Sequence, residues 1–402
     1  MDIHNDHGYT AADMSPHGSV DLRWLAERLN VVGYTAESVS QRLGIRHPDD
    51  VGALNHAPKM ELLRGDRAPL STLIRLLFLE SEETGSAVDA ALGAGACKRL
   101  ATSSLLRRRG TKVCVRLRLE TVGDQYFLAD RRFRRVDRMA LRLGGRDPVY
   151  PPSSDSLLLR EIVAAHEKPS VLDLCCGSGV QGLALAQRAS RVVAVDLNPR
   201  AAAVTRLNAQ LNGIDQIEVH VGDLFKPLRG RQFDVIIANP PFVSSPYEHG
   251  PGYHAGGATG DRVLRRVVRG YTKHLSPGGH AFAISHVGLR RGEALYEVAQ
   301  NWFADFPGRV LILTLESGSP IDLAAAQAQF AFERGARAYA AEVRRWVDYL
   351  RRHRIDSIVA FLLVAQRNGR PHVEVVDGSP RILPLPLSPA PAQRVADWLA
   401  VP

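Results

Sequence analysis

From residue 148 onward the chain alternates short apolar runs with helical patterns, and that alternation restricts it to a layered α/β sheet. Strands are expected at 171–174, 192–196, 217–221, 234–238, 280–285, 310–315 and 357–365. Helices fit 180–189, 199–211, 261–274 and 292–303. Runs such as Asp234-Val235-Ile236-Ile237 are apolar without alternating, as a strand covered on both faces must be. The expected fold class is therefore α/β, a seven-stranded Rossmann-like sheet, with one more strand after Gly369. Residues 321–354 interrupt the last two of the seven strands with a long helical pattern, where a hairpin link takes roughly two to five residues. Its Phe330, Phe332, Tyr339, Trp346 and Tyr349 read as packing residues, and the insertion as a cleft cover, a domain contact or a homodimer surface.

Residues 20–148 read as a separate domain. Helices are expected at 21–29, at 35–43 with Thr35 as N-cap, at 69–80 with Pro69 opening it, at 87–92 and at 96–106. Strands follow at 112–119 and 125–129 around a Gly123-Asp124 turn, and helices followed by a hairpin are the order of a winged helix. Between Lys98 and Arg146 stand 15 Lys or Arg residues against 4 acids, clustered at Arg107-Arg108-Arg109 and Arg131-Arg132-Phe133-Arg134-Arg135. Such a segment suits phosphate contacts as a basic recognition helix and wing, or else forms a solvated face.

The ends of the chain are plainer. Residues 1–19, rich in His, Asp and Gly, read as a disordered arm without the pattern of a signal peptide, and 379–402 as a Pro-rich tail. No apolar run approaches ~18 residues, so no membrane span is expected. Cys97, Cys114, Cys175 and Cys176 show neither metal-ligand nor disulfide spacing, which fits a reducing cytoplasm and no metal.

The chemistry collects where strands stop. After the run ending at Ala238, Asn239-Pro240-Pro241-Phe242 cannot continue a ladder, because each Pro lacks a donor. The chain must leave the sheet at a carboxyl end, where open α/β sheets bind ligands. Cys175-Cys176-Gly177-Ser178-Gly179 likewise ends the first strand in a glycine turn and opens a helix. Asp173 lies within that strand end, where a carboxylate can meet an ammonium group. Asp196 ends the second strand, placed to take two ribose hydroxyls, and Asp223-Leu224 follow the third with groups suited to an adenine.

Together these motifs, in order over about 149–289, resemble the class I S-adenosylmethionine (SAM) methyltransferases, and Asn239-Pro240-Pro241-Phe242 resembles their amino-methylating branch. The segment from Val149-Tyr150-Pro151-Pro152 through Asp155 to Leu159 looks like the opening helix of the release-factor glutamine methyltransferases, and Ala255-Gly256-Gly257-Ala258-Thr259-Gly260 is also similar. The front domain, the 321–354 insertion and Ala238 in place of their usual Asp are departures from that pattern. The resemblance implies SAM as cofactor, contacted by Asp173, Cys175, Gly177, Gly179, Asp196, Leu197, Asp223, Leu224 and Asn239. It implies catalytic roles for Asn239, Pro240 and Phe242, with Pro241, Phe242, Tyr150 and Asp155 facing the substrate.

The expected reaction is methylation of a planar amide or exocyclic amine, on a protein glutamine or a nucleobase. The Asn239 oxygen and the Pro240 carbonyl each accept one N–H, and Phe242 stacks on the planar group. A small-molecule or peptide acceptor is the alternative, and a SAM-sensing DNA-binding regulator without catalysis is a second one. His249, His254 and His286 read as solvated residues beside the site.

Overall fold

The computed structural model describes residues 22–46, 50–103, 105–131, 148–164, 170–247, 256–378 and 391–400. Two compact units emerge. The first takes residues 1–154 together with 177–179 and 199–215; the second takes 155–176, 180–198 and 216–402.

In the first unit, α1 (Leu22–Val32), α2 (Ala36–Leu43), α3 (Ala53–Leu62) and α4 (Pro69–Leu73) precede β1 (Glu83–Thr84), α5 (Gly85–Leu92) and α6 (Ala96–Thr102). Strands β2 (Leu106–Arg109), β3 (Lys112–Val115), β4 (Leu117–Val122) and β5 (Gln125–Asp130) follow. Thr35 caps α2 as expected, its hydroxyl accepting the Ser38 N–H at 3.1 Å while Ser38 reciprocates. Helix α3 was not expected, since Pro58 stands inside it and its apolar pattern is weak.

Three expectations for this unit need correction. The helix expected at 69–80 is α-helical only to Leu73, and Ile74–Phe78 widen into a π-turn. That turn delivers Glu80, at φ 57°, into the interior, where its carboxylate lies 3.2 Å from Arg131 and 3.9 Å from Arg118. The single strand expected at 112–119 breaks at Arg116, whose N–H turns aside to the Leu105 carbonyl; β3 then pairs with β2, and β4 with β5. The helix expected at 96–106 stops at Thr102, so Arg107, Arg108 and Arg109 lie on strand β2.

One cation of the basic segment is not on the surface, although Lys98, Arg99, Arg108, Arg109 and Lys112 are exposed. Arg118 is fully buried, 2.6 Å from Glu120 and stacked 4.0 Å over Phe78. Residues 132–147, with Arg132, Arg134 and Arg135, lie outside the described residues.

The same unit includes α9 (Pro199–Leu211), where Asn208 and, just past the helix end, Asn212 fasten strand β5. Asn212 accepts the Tyr126 N–H and donates to its carbonyl, and Asn208 does the same for Leu128, at 2.7–3.0 Å. Four helical residues rise about 6 Å and two strand residues about 6.8 Å, so the two rows keep step. Asn208 also donates to the Ser178 carbonyl at 2.8 Å, and Thr205 to that of Gly177 at 3.0 Å, which pins the glycine turn.

The second unit is built on one eight-stranded sheet. Its elements are α7 (Ser154–Ala164), β6 (Ser170–Leu174), α8 (Gly182–Leu185), β7 (Arg191–Asp196), β8 (Ile217–Val221), β9 (Phe233–Ala238), α10 (Arg262–His274) and β10 (Leu275–Arg290). Then come α11 (Leu295–Trp302), β11 (Arg309–Gly318), α12 (Pro320–Ala328), α13 (Ala336–Arg352), β12 (Ile355–Gln366), β13 (His372–Asp377) and α14 (Pro391–Ala400). The order is β13-β11-β12-β10-β9-β6-β7-β8. Strands β6 to β10 run parallel, β12 is antiparallel to both neighbours, and β13 joins parallel to β11. The seven-strand count is corrected to eight, because 372–377 extends the sheet edge beside β11. Core residues such as Leu172, Ile236, Phe233 and Phe361 are wholly buried.

The insertion is two helices joined by a tight turn at Gln329–Arg334. Ser319 caps α12, with Asp322 closing a capping box. Helix α13 buries Trp346 and Leu350, as packing residues should be, whereas Phe332 is 53% exposed.

Candidate active site

From β6 the chain goes to β7 on one side and, after β8, returns to β9 on the other. That reversal opens a crevice at the carboxyl ends of β6 and β9, the usual ligand position in such sheets. Leu174 pairs with Ala238 in register, so Cys175 and Asn239 leave the sheet side by side.

On the β6 side the backbone is unusual. Cys175, Gly177 and Gly179 all have left-handed φ (56°, 55° and 81°), as does Leu224 (51°) after β8. A non-glycine residue in that region costs of order 1 kcal/mol or more, and such strain concentrates at ligand sites. Burial first, and then the negative charges of Asp196, Asp173 and Asp223, push the Cys175 thiol well above the usual thiol range. This thiol stays protonated at neutral pH, which removes it as a nucleophile.

Asp173 is buried, and its Oδ2 accepts the Gly182 N–H at 2.9 Å. Burial raises its pKa to about 7, against the opposing effect of that hydrogen bond and with a contribution from Asp196. A carboxylate desolvated without a cationic partner is a site for a cation. Asp196 receives the Asn198 N–H at 2.8 Å, and Leu197 beside it is 70% exposed. Asp223 holds Arg266 through both oxygens at 2.7–2.8 Å and Lys226 at 2.9 Å, and these partners lower its pKa. The adenine contact expected of Asp223 therefore competes with an ion pair that only the tertiary structure reveals. Tyr150, expected at the substrate, falls in the first unit and is 42% exposed.

On the β9 side, the Asn239 Nδ2 donates to Asp155 Oδ2 at 3.3 Å. Asp155 accepts this bond, so it engages the amide's NH2 end and leaves Oδ1 as the accepting end of the Asn239 side chain. Pro240 is buried and Pro241 half-buried. The half-buried Phe242 ring stacks on His286 with centroids 4.2 Å apart and planes at 25°. His286 had been expected to be solvated; instead it is half-buried, and desolvation holds its pKa below the ordinary value despite nearby Asp155. It is therefore neutral at pH 7. The signal for it was positional: Ala283 pairs with Ala238, so His286 projects just past the ligand edge of the sheet. His249 and His254 lie outside the described residues.

Two glycines grip the same turn. A Cβ on Gly256 would stand 2.6 Å from the Phe242 carbonyl carbon, and one on Gly260 would stand 2.5 Å from its oxygen. Gly256 also donates its N–H to the Val243 carbonyl at 3.2 Å, and Gly260 needs φ 85°. Gly260→Ala adds backbone strain to this clash, and is expected to lower stability by about 1–3 kcal/mol. A melting temperature equal to wild type would show that the turn yields freely.

A buried acid with no cation beside it among the described residues, a carboxylate at the next strand end and an exposed apolar side chain next to that carboxylate are groups that suit a cationic amino acid joined to a nucleoside. These are the features expected of a SAM-dependent methyltransferase.

Comparison with known proteins agrees. The methyltransferase small domain matches residues 153–303, and a domain of unknown function matches 31–116. The chain belongs to the methyltransferase small-domain family, and S-adenosylmethionine is its cofactor. A relative from Methanocaldococcus jannaschii, provisionally named a protein N5-glutamine methyltransferase, is 34% identical over 150 residues, which are 36% of this chain and 75% of the relative. A ribosomal protein uL3 glutamine methyltransferase of Burkholderia pseudomallei is 38% identical over 27% of this chain and 42% of its own length. A ribosomal RNA small subunit methyltransferase C of Escherichia coli is 32% identical over 35% and 38%. The chain thus spans less than half of the latter two proteins. A solved T. thermophilus 16S rRNA methyltransferase in complex with AdoMet and guanosine aligns at TM-score 0.34 and 19% identity, over 61% of this chain and 68% of its own, a likeness too slight to carry any inference.

Proposed function

We propose that this enzyme methylates a planar nitrogen, an amide or an exocyclic amine, on a macromolecule. The observation that carries the reading is the Asn239 amide at the end of β9, whose Nδ2 donates to Asp155 at 3.3 Å. When bound, SAM supplies an electrophilic methyl group. Asn239 and Pro240 accept the two N–H bonds of the acceptor nitrogen, turn its lone pair toward the donor and stabilise the positive charge that develops there. Phe242 stacks on the planar group and sets its tilt. Asp173 holds the donor's ammonium group, Asp196 the ribose hydroxyls, and Leu197 and Leu224 the adenine. The curated relatives named for glutamine and ribosomal RNA methylation support a macromolecular acceptor.

The first unit is read as carrying a winged helix within residues 69–115. Its support is the order helix, β1, α5, α6, β2, β3, with the sheet arranged β1-β3-β2. Four free cysteines favour a cytoplasmic setting, and no helix among the described residues is long and apolar enough to cross a membrane.

The test is transfer of labelled methyl from SAM into fractions of a host extract, followed by nuclease, protease and a size cut-off. Label on a nitrogen of a macromolecule is expected. Label found only on oxygen, carbon or a small molecule would overturn the proposal.

A further inference from the structure

We infer that the groove between α10 and α11 holds the sugar–phosphate backbone of a nucleic-acid acceptor, which rests on the N-methyltransferase reading and names its substrate class. The groove is a cavity of about 510 Å³, and Arg262, Arg265, Arg269 and Arg290 line it against two acids, Asp261 and Glu293. Each acid is engaged with one of these arginines. Asp261 is buried and accepts from Trp302 Nε1 at 2.9 Å and Thr259 Oγ1 at 2.6 Å, with Arg265 at 3.3 Å. Glu293 accepts from the backbone and side chain of Arg290 at 2.8 and 3.0 Å. The lining keeps an excess of two positive charges, and Arg269 makes no hydrogen bond or ion pair with any described residue.

Helix α10 concentrates positive charge. It carries Arg262, Arg265, Arg266, Arg269 and Lys273 and not one acid. Cations in its first turn oppose the helix dipole, and Arg262–Arg266 and Arg265–Arg269 are like-charge pairs four residues apart. Arg266 is paired with Asp223, and Arg262, Arg265 and Arg269 are exposed along the groove, Arg265 with Asp261 beside it. A polyanion in the groove would relieve this repulsion.

Location decides which polyanion. A Cβ on Gly257 would lie 2.9 Å from Arg262 Cβ, and the neighbouring Gly256 abuts the Phe242 backbone. The guanidinium row therefore starts directly behind the turn that presents Asn239 and Phe242. A nucleobase at that turn always brings phosphodiesters with it, whereas a glutamine brings none. Guanidinium forks suit phosphate oxygens bidentately, and Arg is used here throughout instead of Lys.

The test uses the full-length protein with S-adenosylhomocysteine and a fluorescein-labelled oligouridine, read by anisotropy across roughly 50–200 mM salt. The variant R262Q/R265Q/R269Q is expected to bind at least about tenfold more weakly. Its salt slope should shrink by about 2, from roughly 0.7 per phosphate contact over three contacts. The matching Arg→Lys triple variant should keep the slope, and calorimetry should show unchanged SAM affinity in both, which excludes misfolding. A Gln variant within about twofold of wild type in affinity and slope would overturn the inference, as would a polyglutamate peptide that competes as well as the oligonucleotide. Because the readout is binding, it is independent of whether Asn239 supports methyl transfer, so the two readings fail separately.

Discussion

Replacing Asn239 with Ala is expected to lower methyl transfer by about 10²–10³-fold while SAM affinity, measured by calorimetry, changes less than about threefold. The magnitude is that of removing one fixed hydrogen-bond partner from a charge-developing centre, about 2.7–4 kcal/mol. An amide or aromatic amine has a delocalised lone pair, so it reacts only when its N–H bonds are gripped and its geometry is turned toward the donor. Asn239 Oδ1 is available for this because Asp155 holds the other end of the amide at 3.3 Å. Ala leaves the Pro240 carbonyl as a single acceptor, and the nitrogen can then rotate. Transfer within a few-fold of wild type would remove Asn239 from the chemistry.

SAM affinity is expected to fall as pH drops below 7, by up to about tenfold per pH unit, because binding must displace one proton from Asp173. The sign follows from the raised pKa. In the folded protein burial lifts Asp173 from 3.8 to about 7, so between those values the folded chain keeps a proton that the unfolded chain has lost. Ionising the buried carboxylate is therefore a penalty on the cofactor-free fold, absent below pH about 4 and complete above about 7. A bound ammonium group reverses the preference and favours the carboxylate. Asp173→Asn should flatten the pH dependence of SAM binding between 6 and 8 and weaken it at pH 8 by at least about tenfold. The same variant should raise the melting temperature of the cofactor-free protein at pH 8. A pH-dependent affinity that survives in Asp173→Asn would assign the proton to another group.

Much of the site was legible because its determinants are local. Pro240 and Pro241 end a strand whatever surrounds them, and glycines at 177 and 179 permit a turn that other residues resist. Asp173 and Asp196 stand at strand ends simply by counting. The first unit was less legible, since its outcome rests on distant pairings. The π-turn before Glu80 answers to Arg118, and the break at Arg116 answers to Leu105. Arg107 to Arg109 gave no local sign that they would pair as a strand with Lys112 to Cys114. His286 was misread for the same reason, because its ring partner Phe242 belongs to a different strand's end.

By itself, the sequence determined the alternating strands and helices, the stops at their carboxyl ends and the residue types placed there, since side-chain period and backbone freedom act over a few residues. Only the tertiary structure decided that Asp155 orients Asn239 across 84 positions, that Arg266 engages Asp223, and that three arginines of α10 share a groove. Those relations depend on which strands become neighbours, and that is settled by burial of the whole core rather than by any one stretch of chain.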